Sequence, residues 1–114
     1  MGYHVSIGKD TFNYTSNVRA LFYDHIQETD SRGGLHVLDG KTGKEGAAIL
    51  RDAFFRINRT KLDLWERDDI GEPAFCAKYD AANGWGSAVG ALIFLAQIMA
   101  ACAANPRKRI DVSA

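Results

Sequence analysis

Cysteine and proline are scarce in this chain of 114 residues, which contains two of each. Two cysteines, Cys76 and Cys102, cannot form the disulfide framework on which many small secreted domains depend. The N-terminus shows neither the positively charged region nor the apolar region of a signal peptide. We therefore expect reduced thiols, a cytoplasmic location and a fold that depends on a hydrophobic core.

Net charge is also missing, because 14 basic and 14 acidic side chains cancel. A neutral protein has no long-range field to attract nucleic acid. The basic cluster Arg107-Lys108-Arg109 lies near a chain end, where it is typical of a solvated edge. The sequence therefore predicts no nucleic-acid partner.

The residue patterns of metal and catalytic sites are absent. His4, His25 and His36 have no neighbours at ligand spacing, and the cysteines form no zinc-type pair. No Ser, Cys or Thr lies in a nucleophile motif. We expect no metal and no cofactor, and the pattern favours a protein that is not an enzyme. An acid/base pair built from Asp24, His25 or Asp39 remains an alternative.

The longest apolar run spans Ala88–Ala104, and Gln97 is its only strongly polar side chain. The run is shorter than the roughly 20 residues that cross a bilayer, and it is rich in Ala and Gly, so we favour a core helix over a membrane span. A helix that is apolar nearly all round must be covered by protein. The sequence therefore predicts a central helix over 87–104, enclosed on every side.

Alternation of apolar and polar residues predicts strands at both ends of the chain. Residues 3–7 and 12–16 would form a hairpin around the turn residues 8–10. Residues 109–113 would add a third strand. The side chains that we expect on the face toward the helices are Tyr3, Val5, Ile7, Phe12 and Tyr14.

Between the hairpin and the last strand, apolar residues recur at helical spacing, which predicts helices in this region. A first amphipathic helix follows Asn17, which we expect to be its N-cap. A second begins at the capping box Thr42-Gly43-Lys44-Glu45 and runs to about Arg59. A short helical piece over 60–67, capped by Thr60, and an acidic exposed loop over 68–73 would follow. The sequence thus predicts one α+β domain over 1–114. In it, a small antiparallel sheet is packed on one side by three to four helices around the central helix.

Residues 39–44 invite a phosphate-loop interpretation, which fails because position 35, where the pattern requires Gly, is Leu. A weak anion site at the start of the second helix, formed by Lys41, Thr42 and Lys44, remains an alternative.

Two stretches could hold a flat polar ligand. Residues 13–17 gather hydrogen-bonding side chains where a strand passes into a helix, and Asn83-Gly84-Trp85-Gly86 places an aromatic residue between two glycines. In a purely structural interpretation, Trp85 plugs the end of the core, Asn83 fixes the turn and Ser87 caps the central helix. In the functional interpretation, a pocket is lined by Asn13, Tyr14, Asn17, Tyr23, Tyr79, Asn83 and Trp85.

A dispersed pattern runs through nearly the whole chain. It consists of Asn13-x-Thr15-x-Asn17, Leu38-x-Gly40-x-x-Gly43, Asn83-Gly84-Trp85-Gly86, Cys102, Asn105-Pro106 and Ile110-x-Val112-Ser113. In this pattern the chain resembles small proteins of phages, prophages and their bacterial hosts, although 60–77 departs from it. The resemblance implies a phage or mobile-element setting and no particular reaction.

Three functions are consistent with these observations. The first is a non-enzymatic accessory protein that binds a host protein, through an exposed sheet face or edge, or a small nucleotide-like ligand near Asn17 and Trp85. The second is a small enzyme acting on a nucleotide- or peptide-like substrate. The third is a structural subunit, such as a homodimer formed across the sheet edge.

Overall fold

Three strands and four α-helices make up the computed structural model, which describes residues 2–27, 33–68 and 71–114. Two short 3-10 turns lie at Ser16–Val18 and Gly34–Leu38. The strands are β1 (Gly2–Ile7), β2 (Asp10–Thr15) and β3 (Asp111–Ser113), and the helices are α1 (Arg19–His25), α2 (Gly43–Asp68), α3 (Gly71–Tyr79) and α4 (Ala88–Ala104).

The three strands form one antiparallel sheet in the order β2-β1-β3. Val5 lies opposite Phe12 on β2 and opposite Val112 on β3, so the two ends of the chain are neighbours. Because side chains alternate between faces, Tyr3, Val5 and Ile7 are buried on the helical side. The predicted α+β class, the hairpin and the third strand are confirmed.

Helix α2 is longer than predicted. It continues without a break through Thr60, whose hydroxyl donates to the carbonyl of Arg56 at 3.0 Å, one turn back. The predicted cap at Thr60 is therefore wrong, because no Gly or Pro stops the helix there. The predicted loop over 68–73 is also wrong where it can be compared: Asp68 ends α2 and α3 begins at Gly71. Residues 69 and 70 lie outside the described residues.

The start of α2 is fastened to the end of α4. The amide of Gly43 donates to the carbonyl of Lys108 at 2.8 Å, and the amide of Lys44 donates to that of Pro106 at 3.0 Å. A Cβ atom on Gly43 would overlap the carbonyl oxygen of Asn105, so only glycine allows this approach. The start of α2, the positive end of its dipole, therefore lies beside the end of α4, the negative end of the other dipole.

Helix α4 packs on α2 and the sheet with one face only. Ala91, Leu95 and Ile98 are buried on that face, whereas Val89 is 51% exposed and Ile93 is 55% exposed. The prediction that protein encloses this helix on every side is therefore wrong. No helix among the described residues is long and apolar enough to span a membrane.

Candidate functional site

The turn between α3 and α4 carries Trp85 at its tip, and the side chain of Trp85 is 74% exposed. This is the largest exposed fraction among the described large apolar side chains that lie at the surface. The expectation that Trp85 plugs the core is wrong, because its ring faces solvent.

The backbone of Trp85 is held by the side chains of two asparagines. Its amide donates to Oδ1 of Asn83 at 3.0 Å, and its carbonyl accepts from Nδ2 of Asn17 at 3.1 Å. Asn17 is therefore not the N-cap of α1. Thr15 caps the preceding 3-10 turn instead, since its hydroxyl oxygen accepts from the amide of Asn17 at 3.2 Å.

Strand β2 supports the same turn through Tyr14. The Tyr14 hydroxyl accepts from the amide of Ser87 at 3.0 Å, and its ring stacks on Phe94 with centroids 5.6 Å apart. Gly86 has φ +126°, and a Cβ atom there would come within 2.5 Å of the Thr15 side chain. Both the backbone angle and the space therefore require glycine at this position.

The first turn of α4 is capped as predicted. The hydroxyl oxygen of Ser87 accepts from the amide of Gly90 at 3.0 Å. The carboxylate of Asp80 accepts from the amide of Ala88 at 2.7 Å. The helix that follows Trp85 is thus fixed relative to the turn that presents it.

An uncharged face of α4 adjoins this turn. Its exposed side chains recur at spacings of four, three and four residues, which places them on one side of the helix. We call the following set the Trp85 surface: Trp85, Val89, Ile93, Ala96, Gln97 and Ala100.

The remaining predicted ligand residues lie elsewhere. Asn13 is exposed on β2 opposite His4, Tyr23 is half-exposed on α1, and Tyr79 is buried at the end of α3. The structure thus groups Tyr14, Asn17 and Asn83 around Trp85, where they hold the turn.

Tyr79 belongs to a polar cluster between α1, α2 and α3. Its hydroxyl donates to Oδ2 of Asp24 at 2.6 Å. Burial is the main cause of a raised pKa for Tyr79, and the bond to Asp24 raises it further. His25 is buried beside it, with Nδ1 at 2.7 Å from the carbonyl of Leu21 and Nε2 at 3.0 Å from the Thr60 hydroxyl. Because a carbonyl only accepts, Nδ1 carries a proton, so Nε2 of the neutral ring accepts from the Thr60 hydroxyl, whose single proton is shared between Nε2 and the carbonyl of Arg56. Burial lowers the pKa of His25.

The cluster therefore uses its polar groups internally. Asp39, the third member of the alternative acid/base set, accepts from the amide of Val112 at 2.9 Å. Asp24, His25 and Asp39 thus each bond to neighbouring groups of the fold, and the contacts around them give no support to the acid/base alternative.

At the suggested anion site, the backbone amides at the start of α2 already have partners within the fold. The capping box forms as predicted, with the amide of Thr42 donating to Oε1 of Glu45 at 3.0 Å and the amide of Glu45 donating to the Thr42 hydroxyl oxygen at 3.2 Å. The Thr42 hydroxyl also donates to Oε1 at 3.0 Å, and the two bonds from the amide and the hydroxyl of Thr42 to this carboxylate lower the pKa of Glu45. Because Gly43 and Lys44 donate to carbonyls near the end of α4, the first-turn amides beside Lys41 are already used.

Two further features lie away from the Trp85 surface. On α2, Phe55, Leu62 and Trp65 are each more than half exposed. A cavity of about 370 Å³ lies between β1, α1 and the two 3-10 turns, and its lining includes Tyr3, Ser16, Arg19, Tyr23 and His36. Of the predicted ligand residues, only Tyr23 lines this cavity.

Sequence reasoning missed Val89 and Ile93 because an apolar run is consistent with a buried helix and does not reveal which face stays uncovered. It missed Arg19 because the cavity is formed by segments distant in sequence. Within the described part of the chain, no group of three or more His, Cys, Asp or Glu side chains could hold a metal ion. Comparison with known protein families, well-characterised proteins and solved structures finds no match for this chain.

Proposed function

We propose that this protein acts by binding another protein through the Trp85 surface. The observation that carries the proposal is an aromatic side chain that is 74% exposed on a turn fixed by two asparagine side chains. Tryptophan is enriched among the few residues that supply most of the binding energy at protein interfaces.

The fixed turn favours tight binding. Association is weakened by the entropy lost when loops and side chains become ordered. Here the amide and carbonyl of Trp85 are already bonded, and Ser87 and Asp80 cap the helix that follows. A partner would therefore order little more than the indole ring.

The chemistry of the surface favours an apolar partner site. Its members carry no charge, and Gln97 is its one polar side chain apart from the indole N–H. The exposed face from Val89 to Ala100 extends about 17 Å along the helix axis. A surface of this kind suits a groove lined by apolar side chains and offers nothing to a phosphate backbone.

The resemblance to phage and prophage proteins suggests the biological setting in which this binding would occur. The partner would be a protein of the bacterial host, bound by an accessory protein without enzymatic activity. This refines the expected contact, because the binding surface is a turn and a helix face and not the face or edge of the sheet.

The test compares two tryptophan variants in affinity capture from a bacterial extract, with quantitative mass spectrometry. A specific partner should be lost with Trp85→Ala and kept with Trp65→Ala, which removes a tryptophan that is 54% exposed on α2. The partner is then purified, and its affinity for each variant is measured by calorimetry.

A loss of at least about 30-fold in affinity with Trp85→Ala is expected for a central aromatic anchor. Equal affinity of both variants for the purified partner would contradict the proposal. Light scattering of the protein alone detects the competing outcome, in which a second copy of the chain covers this surface.

A further inference from the structure

The cavity beside β1 combines features that the Trp85 surface lacks. Its volume, about 370 Å³, lies at the small end of the range of roughly 300–1,000 Å³ that is typical of ligand pockets. Its walls come from segments far apart in sequence: β1, α1 and both 3-10 turns. A space of this size fits a small metabolite.

Arg19 is the one cation among the described residues that line this cavity. Arg19 and Tyr23 are four residues apart on α1 and therefore lie on the same face. Arg19 makes no ion pair with any other described residue, and no Asp or Glu side chain is among the described lining residues. A guanidinium group without a carboxylate partner favours a carboxylate or phosphate ligand.

Aromatic rings form the rest of the recognition surface. The Tyr23 ring is 48% exposed and lies against the backbone of Gly33 and Gly34. The rings of His36 and Tyr3 meet in an edge-type contact, with centroids 5.8 Å apart. A planar ligand ring can stack on side chains held in this way.

The hydroxyl of Tyr3 supplies an unused polar group. Tyr3 is only 3% exposed, and its hydroxyl makes no hydrogen bond to another described residue. No fully buried side-chain oxygen or nitrogen of a described residue lacks a partner, so the Tyr3 hydroxyl is not sealed from solvent, and Tyr3 is one of the residues that line the cavity. Burial raises the pKa of Tyr3, the neighbouring Tyr23 adds to the rise and Arg19 opposes it. The side chains of Tyr3, Arg19 and Tyr23 therefore line one cavity and influence one another electrostatically.

We propose that this cavity binds a small molecule that joins a planar ring to one carboxylate or phosphate group. Arg19 pairs with the anionic group, Tyr23 and His36 contact the ring, and the Tyr3 hydroxyl bonds to a polar atom of the ligand. The site is separate from the Trp85 surface, and its occupation does not require the protein partner proposed above.

The test is a titration of the ¹⁵N-labelled protein, followed by amide chemical shifts. Two anionic probes, adenosine monophosphate and 4-hydroxybenzoate, show whether the site binds a phosphate group or a carboxylate group. Adenosine, 4-hydroxybenzyl alcohol and inorganic phosphate each lack either the anionic group or the ring. We expect at least one anionic probe to bind, with shifts around Tyr3, Arg19 and Tyr23, and about 10-fold more tightly than its neutral analogue.

Variants make the test specific to this site. Arg19→Gln should weaken binding of that probe about 10-fold, whereas Arg107→Gln, which removes an exposed arginine outside the described lining, should leave it unchanged. Tyr23→Ala should weaken the anionic probe and its neutral analogue alike, because it removes the ring contact. The Trp85→Ala variant should bind the same probe as tightly as the wild type does.

Three results would overturn the proposal. The first is the absence of shifts around the cavity with both anionic probes at concentrations up to about 10 mM. The second is inorganic phosphate binding as tightly as adenosine monophosphate, with no binding of 4-hydroxybenzoate, since the rings would then contribute nothing. The third is an equal effect of Arg19→Gln and Arg107→Gln, which would reveal a general charge effect.

Discussion

The side-chain amide of Asn17 donates to the backbone carbonyl of Trp85 at 3.1 Å, across 68 positions of the chain. This bond ties the 3-10 turn before α1 to the turn before α4. Together with the bond from the Trp85 amide to Asn83, it fixes the backbone of a residue whose side chain packs little against the protein.

Replacing Asn17 with Ala should loosen the Trp85 turn. We expect a loss of about 0.5–1.5 kcal/mol in the free energy of unfolding, the usual net contribution of one such hydrogen bond. We also expect faster hydrogen exchange at the Trp85 amide. Urea unfolding and exchange measured by NMR check the two effects.

Asn13 provides the matched control, because it is an exposed asparagine on the outer face of β2. Asn13→Ala should leave exchange at Trp85 unchanged and alter stability by less than about 0.5 kcal/mol. If both variants changed the turn equally, the bond between Asn17 and Trp85 would not be what holds it.

The local sequence predicted this region in part. The glycines around Trp85 and the cap at Ser87 are short-range signals, and both were predicted correctly. The direction of the Trp85 ring was not predictable, because it depends on Tyr14 and Asn17 occupying the inner side of the turn. Those contacts join residues about 70 positions apart, and no local pattern encodes them.

The helices and strands also divide into features that a local pattern predicts and features that depend on contacts between distant residues. The length of the apolar run gave α4 its approximate bounds, and the period-2 alternation gave the hairpin its inward face. The continuation of α2 through Thr60 was missed because threonine is a common cap and its hydroxyl can also bond one turn back inside a helix. The packing of α3 on α2 supplies the partner that extends the helix.

Gly43→Ala should destabilise the protein although alanine is the better helix former. An added Cβ atom would overlap the backbone of Asn105, which cannot move without breaking the bonds from Gly43 and Lys44. We expect a loss of about 1–3 kcal/mol, typical of overpacking, measured by urea unfolding. A gain of about 1 kcal/mol, as helix propensity alone would give, contradicts the close contact of α2 with α4.

Acid should destabilise the fold through His25. Burial lowers its pKa, while the bond to Leu21 and the charge of Asp24 oppose that effect; Lys78 and Arg56 add to it. Between the lowered pKa of the folded state and the ordinary value of about 6.5, the unfolded chain binds a proton that the folded chain does not. The free energy of unfolding therefore rises with pH across this window, and the penalty is complete below the folded-state pKa.

The variant His25→Asn isolates this effect, because an asparagine amide can still donate to Leu21 but does not titrate. Urea unfolding between about pH 5 and pH 8 should show a steeper loss of stability on acidification for the wild type than for the variant. Parallel curves, or a wild type that gains stability in acid relative to the variant, would refute the assignment.

Cys102 should resist alkylation in the folded protein. It is buried, and burial raises its pKa to about 11. At neutral pH the thiolate fraction is then roughly 300-fold lower than for an ordinary thiol with a pKa of about 8.5. Iodoacetamide labelling with peptide mapping should find Cys102 unmodified in the native state and modified in urea. Native labelling at the unfolded rate would show that the end of α4 is open.

Fluorescence of Trp85 in a Trp65→Phe variant tests the display of this ring most directly, because Trp85 is then the only tryptophan of the protein. We expect acrylamide to quench it nearly as efficiently as N-acetyltryptophanamide, with little change in the emission maximum when the protein unfolds. A blue-shifted, poorly quenched emission that moves to longer wavelength on unfolding would show a packed ring and contradict the proposed binding surface.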